Sequence, residues 1–253
     1  MSVEIIPLDC GHVTHVEKSG QFYMRGFGEH ICAQAVVWLI RGGDATIVVD
    51  IGPGTPELVR ERHGRELVQS DEQHPLRALE AHGVAPEQVD AVVQTHLHWD
   101  HCLGLELDLF PHAEIYVQRA ELAYAAAPYP AHAKLYDPGV LRKLMPAFAR
   151  EYPRVKLIDG DFKLSRDVML LKTPGHSPGT QATLVKTDSG TFAIASDNVP
   201  FQESWSGPTL EDWIPPGVHV NLDECYESMA RLASLSDVVL PSHDGAVLGQ
   251  RYS

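Results

Sequence analysis

The segment Thr95-His96-Leu97-His98-Trp99-Asp100-His101 puts three imidazoles and a carboxylate within six residues. Each is a ligand type for a borderline divalent cation. Donors at i and i+2 do not share a helix face, so this is not the helical His-Glu-x-x-His spacing. They converge if the chain is extended or looped, as it is expected to be just after a strand at 90–94. Four donors so close are hard to aim at one tetrahedral ion, and two ions, each taking some of them, solve the geometry. A second ion needs donors from elsewhere. Three candidates stand at strand ends or in a glycine-flanked turn: His176 in Thr-Pro-Gly-His-Ser-Pro-Gly, Asp197 after 192–196, and His243 after 238–240. Gly175 and Gly179 leave the backbone free to turn His176 inward.

Two divalent ions about 3.5–4 Å apart can share a hydroxide at neutral pH, whereas free water keeps its proton up to a pKa of about 15.7. A carbonyl oxygen on one ion is polarised as the hydroxide attacks. Asp100, with a carboxylate oxygen to spare, is the candidate to carry the proton from nucleophile to leaving group. Such a site needs no Ser or Cys nucleophile, and no convincing nucleophile elbow is present.

The elements that must position these residues alternate along the chain. Strands are expected at 3–8, 35–40, 46–49, 90–94, 113–117, 155–158, 168–172 and 238–240, with a hairpin of 180–186 and 192–195. Helices are expected to start at Thr55-Pro56 and to cover 74–82, 119–127, 140–152 with a break at Pro146, and 222–235. No linker interrupts the mixture, which reads as one α/β domain over 1–253.

Composition narrows the function classes. The 253 residues carry 20 Lys+Arg against 34 Asp+Glu, a formal net of −14, the wrong sign for a phosphate-backbone binder. The longest strongly apolar run, 35–40, is far short of the ~20 residues that span a bilayer. The N-terminus has no basic region of a secretory signal, and four cysteines without a Cys-x-x-Cys pair suit a reduced, cytoplasmic chain. A small-molecule substrate, with no nucleic acid and no membrane, is the expected partner. The sequence sets no oligomeric state; a homodimer is the one entertained.

In order and approximate spacing, the His-x-His-x-Asp-His segment, Thr-Pro-Gly-His-Ser-Pro-Gly, the strand-terminal Asp197 and Pro-Ser-His243-Asp resemble the metallo-β-lactamase-fold hydrolases, above all the N-acyl-homoserine lactonase branch. The resemblance runs from Ala35 to His243. It implies a four-layer αββα sandwich of two mixed sheets flanked by helices, with metals at one edge. It implies His96, His98 and His176 on a first ion, Asp100, His101 and His243 on a second, and Asp197 bridging two divalent ions, zinc by expectation. It implies a dinuclear hydrolase that opens a lactone, with a glyoxalase II-type thioesterase or other small ester or amide hydrolase as the alternative. Asp50 matches the family's acidic residue that steadies the metal loop from behind.

The departures point at the substrate. The lactonases carry a tyrosine three residues after the bridging aspartate, where this chain has Pro200, followed by Glu203-Ser204 in place of Glu-Asn. Tyr23, Tyr129, Tyr136 and His219 are the candidate replacements for its hydroxyl. Phe22, Met24, Phe27, Phe201, Trp205 and Trp213 join the tyrosines as candidate pocket aromatics. The family's metal motif usually ends in two glycines, where this chain reads Cys102-Leu103-Gly104; Cys102 is expected to be a small buried residue rather than a ligand.

Overall fold

The computed structural model describes residues 2–144 and 154–253. A seven-stranded sheet takes β1 (Glu4–Glu17), β2 (His30–Arg41), β3 (Ile47–Val49), β4 (Leu67–Val68), β5 (Ala91–Val93), β6 (Glu114–Gln118) and β7 (Val155–Ile158), in the order β4-β1-β2-β3-β5-β6-β7. Its β4-β1-β2-β3 part is antiparallel and its β3-β5-β6-β7 part parallel. A five-stranded sheet takes β8 (Phe162–Lys163), β9 (Val168–Lys172), β10 (Gln181–Thr187), β11 (Gly190–Ile194) and β12 (Val238–Leu240), in the order β12-β11-β10-β9-β8. Only its β11-β12 pair is parallel. Both sheets are mixed, as expected.

The helices are α1 (Lys18–Gln21), α2 (Pro56–His63), α3 (Pro75–Glu80), α4 (Trp99–Cys102), α5 (Arg119–Ala126), α6 (Pro138–Leu144) and α7 (Leu222–Leu235). Thr55 caps α2 by accepting from Leu58 N–H, with Pro56 in the first turn, as the Thr-Pro pair predicts. The expected helix 140–152 starts earlier, at Pro138, and its part from 145 to 152 lies outside the described residues.

The strands alternate between two cores because successive side chains point to opposite faces. Val37 and Leu39 of β2, Val48 of β3 and Val92 of β5 pack with Val59 of α2, Leu79 of α3, Leu122 of α5 and Val140 of α6. Their neighbours Trp38, Ile40, Ile47, Val49 and Val93 face the other way, onto Leu170, Val185, Phe192 and Ile194 of the second sheet. Leu171, Leu184 and Ala193 on that sheet's far side meet Met229 and Leu232 of α7. The order is helix, sheet, sheet, helix, a four-layer α/β sandwich. Strands buried on both faces explain the unbroken apolar runs in the sequence. Among the described residues no helix is long and apolar enough to cross a membrane.

Strand β1 runs nine residues past its expected end at 8. Gly11 adopts φ +92° at a register shift between Asp9 and His12, and a Cβ there would lie 2.4 Å from the Val68 carbonyl oxygen. The bulge lets the strand continue while β4 closes against it.

Candidate metal centre

The candidate donors gather where strands of both sheets end. His96 and His98 follow β5, and Asp100 and His101 open the short helix α4. His176 sits in the loop from β9 to β10, Asp197 in the turn after β11, and His243 just past β12. The fold brings all seven together. His96, His98 and His176 offer nitrogens within 4.8 Å of one another, Asp100, His101 and His243 form a second such group, and Asp197 joins His96 and His101 in a third. Six of the seven are buried; Asp100 is half-buried.

The Asp197 carboxylate lies between the groups. Its Oδ1 lies 3.1 Å from His101 Nε2 and 3.2 Å from His243 Nε2. Its Oδ2 lies 3.3 Å from His243 Nε2, 3.5 Å from His176 Nε2 and 3.9 Å from His96 Nε2. Asp100 Oδ2 is 3.8 Å from His243 Nε2. Ser242 donates to Asp197 Oδ1 at 2.7 Å, and Ser196, at φ +55°, turns the chain so that Asp197 enters the cluster. A non-glycine residue at positive φ is a strained conformation that persists where the surroundings impose it.

The outer nitrogens are already committed. His101 Nδ1 is 2.8 Å from Asp50 Oδ2, His176 Nδ1 2.7 Å from the Val218 carbonyl, and His243 Nδ1 2.8 Å from the Gln34 carbonyl. A carbonyl or carboxylate only accepts, so each Nδ1 carries a proton and each Nε2 is the nitrogen that faces inward. His101 Nε2 and His243 Nε2 face one another at 3.3 Å, and both face Asp197 Oδ1. His96 Nε2 is buried with no hydrogen-bond partner among the described residues. Five imidazoles and two carboxylates aimed inward fit divalent cations.

The electrostatics agree. Burial holds His96 and His98 well below the usual imidazole range, reinforced by neighbouring histidines, and burial lowers His176 as well. For His101 and His243 burial opposes charge, but Asp197 and the other carboxylates outweigh it and raise both. Burial likewise works against charge on Asp197, and His243 and His101 overcome it, holding that carboxyl well below its usual range.

Asp50 stands behind the candidate donors. It sits at φ +61° just after β3 and accepts from the Thr95 N–H and Thr95 hydroxyl, both at 2.8 Å, as well as from His101. Cys102 is fully buried, its thiol donating to the Leu97 carbonyl at 3.4 Å.

Glu121 was not legible as a site residue. Within α5 it looks like an ordinary helix acid, yet it is 0% exposed. It accepts from Leu97 N–H at 2.9 Å between two donors, and from Ser177 Oγ and Gly179 N–H beside His176. Tyr136 Oη lies 3.4 Å away. A Cβ on Gly179 would approach Glu121 N to 2.2 Å, so glycine is needed for this closeness. One carboxylate thus ties the His96–His98 loop to the His176 loop. Glu121→Ala is expected to cost about 2–3 kcal/mol, because several buried donors lose their acceptor. Metal affinity is expected to fall about 10–100-fold. Urea unfolding of the metal-free variant and chelator competition would read the two losses separately. Ser177, although flanked as Gly-x-Ser-x-Gly, is buried and committed to Glu121 and Thr180.

A cavity of about 320 Å³ opens beside the donors, lined by His98, Asp100, His176 and Asp197. None of the expected pocket aromatics lines it; Trp99, a spacer in the motif, does. Tyr136 is buried against Glu121, Tyr23 packs edge-on against His219 at 5.2 Å, and Tyr129 is exposed. Trp205 and Trp213 stack on each other at 5.3 Å, and Phe22 packs on Phe201 at 5.3 Å. Of the four candidate donors for the missing tyrosine hydroxyl, Tyr136 packs edge-on against the candidate donor His98 at 4.9 Å.

Known proteins resemble the chain in sequence and in fold. An N-acyl homoserine lactonase of Bacillus cereus is 32% identical over 147 residues, 58% of this chain and 51% of the lactonase. The matched part thus spans about half the length of that relative. The human acyl-coenzyme A thioesterase MBLAC2 is 27% identical over 224 residues, 83% of this chain and 73% of the relative. A solved quorum-quenching N-acyl homoserine lactone hydrolase superposes with a TM-score of 0.76 at 23% identity, covering 97% of this chain and 94% of that one. The metallo-beta-lactamase superfamily profile matches residues 31–243, a span holding both sheets' site-bearing strand ends and all seven donors, and the chain belongs to that superfamily.

Proposed function

We propose that this chain, acting as one domain, is a dinuclear metal-dependent hydrolase that opens a lactone. His96, His98 and His176 would hold one divalent cation, Asp100, His101 and His243 the other, with Asp197 between them. The observation that carries the reading is the Asp197 carboxylate lying within 4 Å of imidazole nitrogens from both sets of inward-facing donors. An all-imidazole and carboxylate donor set suits zinc.

When bound, two such cations supply Lewis acidity, making water nucleophilic at neutral pH and polarising a carbonyl. The chain's own residues manage position and protons. Asp50 and the Gln34 and Val218 carbonyls fix ring orientation and tautomer through the outer nitrogens. Glu121 keeps the two ligand loops in register. Asp100, half-buried at the cavity wall, takes the proton from the attacking water and returns it to the oxygen that leaves the acyl carbon. Asp100→Asn retains an oxygen for coordination but loses the basic site. Turnover is expected to fall about 10²-fold with metal content near that of the parent. Near-normal turnover at full metal content would remove the shuttle role.

A second reading, thioester hydrolysis, has its own support in the similarity to the acyl-coenzyme A thioesterase over most of the chain. The experiment that tests both is elemental analysis of zinc-reconstituted protein alongside rates on lactones, thioesters and amides, before and after chelation. Two equivalents of metal with chelator-sensitive lactone turnover is the expected result. Preference for thioesters would favour the second reading, and no chelator-sensitive turnover of any class would overturn both.

A further inference from the structure

The cavity beside the donors has a second character in its lining. Val13, Val16, Leu135 and Val218 make it apolar, but Arg65 and Lys134 also line it. Arg65 lies in the turn between α2 and β4, and Lys134 in a short turn at 133–135, so two separate segments bring cations to one cavity. In a chain of net charge −14, neighbouring cations are engaged. Arg62 pairs with Asp137 at 3.2 Å, Lys143 with Glu106 at 3.5 Å, and Lys18 with Glu203 at 3.0 Å. Arg65 and Lys134 enter no ion pair among the described residues.

The acids on the same cavity do not answer them. Asp100 and Asp197 belong to the donor cluster. Glu17 is committed to its own turn, accepting from Ser19 Oγ at 2.8 Å and Gly28 N–H at 3.4 Å. The cavity lining therefore presents two positive charges that enter no ion pair among the described residues, one a guanidinium able to grip an oxyanion with two parallel N–H groups.

We propose that the substrate carries an anionic group, a carboxylate or phosphate, away from the acyl bond to be cleaved, and that Arg65 and Lys134 receive it. This rests on the hydrolase reading and narrows its substrate class. A neutral acyl chain would use the apolar wall and leave both cations without a role. An anionic arm uses both, and the local positive field draws it in against the overall acidity of the chain.

The test pairs compounds that differ only in charge: a γ-lactone with a side-chain carboxylate, its phosphate counterpart and its neutral methyl ester, with a matching thioester series. On zinc-loaded protein at low salt, a charged form is expected to have a KM about tenfold below that of its neutral partner. The preference should shrink as salt rises. In the Arg65→Gln, Lys134→Gln double variant the charged-to-neutral ratio should fall to near one. The better of carboxylate and phosphate identifies the anion. Equal KM for charged and neutral forms, or a ratio that survives the double substitution, would overturn the proposal. Calorimetric binding of non-hydrolysable ether analogues of each pair reads the same preference without turnover. Charge-selective binding with no hydrolysis would sink the hydrolase reading and keep the anion site; hydrolysis or binding blind to charge would sink the anion site.

Discussion

Asp197→Ala is expected to lower metal content from two equivalents per chain to one or fewer, and turnover by about 10³-fold or more. The expectation comes from the number of relationships that end on one carboxylate. Its oxygens approach His101, His243, His176 and His96 at 3.1, 3.2, 3.5 and 3.9 Å. Asp197 is also the buried carboxylate inside the ring of imidazoles, since Asp50 stands behind His101 and Asp100 is at the cavity wall. Without it, five imidazoles converge on a space with far less negative charge, and two cations held close would repel each other with less to offset them. Asp197→Asn keeps the shape and one acceptor oxygen, so it should lie between the parent and the alanine variant. Elemental analysis after reconstitution in excess zinc, with rates on the same samples, decides the matter. Two equivalents and near-parental turnover in Asp197→Ala would remove the bridging role.

The sequence made the donors readable because their types are unusual and their spacing excludes a helix. His96, His98, Asp100 and His101 lie in six residues after a recognisable strand, and His176, Asp197 and His243 each follow another. The apolar runs at 35–40 and 238–240 likewise led to β2 and β12, although β2 begins earlier, at His30. What stayed hidden depends on contacts between distant segments. Glu121 is 24 residues from Leu97 and 56 from Ser177, and nothing local in α5 marks it as buried. Asp50 is 45 residues from Thr95 and 51 from His101, so its hydrogen bonds to both are not written in its own segment. The two-residue strands β4 and β8 are too short to show alternation, and β1 hid its length because the bulge at Gly11 breaks the period of two. The aromatics are ambiguous for a related reason: a ring's size predicts burial, while the partner it packs on is set by the fold.

Metal removal is expected to lower the melting temperature, and the gap between zinc-loaded and metal-free protein should widen as pH rises. At free zinc about 1,000-fold above the dissociation constant, binding adds about 4 kcal/mol to the folded state. For a chain of this size that is roughly 10 °C. The pH trend follows from the two histidines whose protons the metal must displace. In metal-free protein Asp197 and its neighbours raise His101 and His243 above their unfolded value, against the opposing effect of burial. A raised pKa gives stability that is complete below the unfolded value of about 6.5 and is lost as pH climbs through the folded value. Cation binding reverses the sign for both, because a coordinated imidazole must be neutral. Their contribution in the loaded protein is then present above about 6.5 and lost as pH falls. His96, His98 and His176 are lowered even without metal, chiefly by burial, so they largely cancel in the comparison. The same reasoning gives zinc binding a release of up to about two protons near neutrality. Melting curves in zinc and in chelator at pH 5.5, 6.5, 7.5 and 8.5, with proton release measured in buffers of different ionisation enthalpy, check both. A gap that stays constant or narrows with pH, or binding without proton release, would mean that His101 and His243 are not the groups the cation displaces protons from.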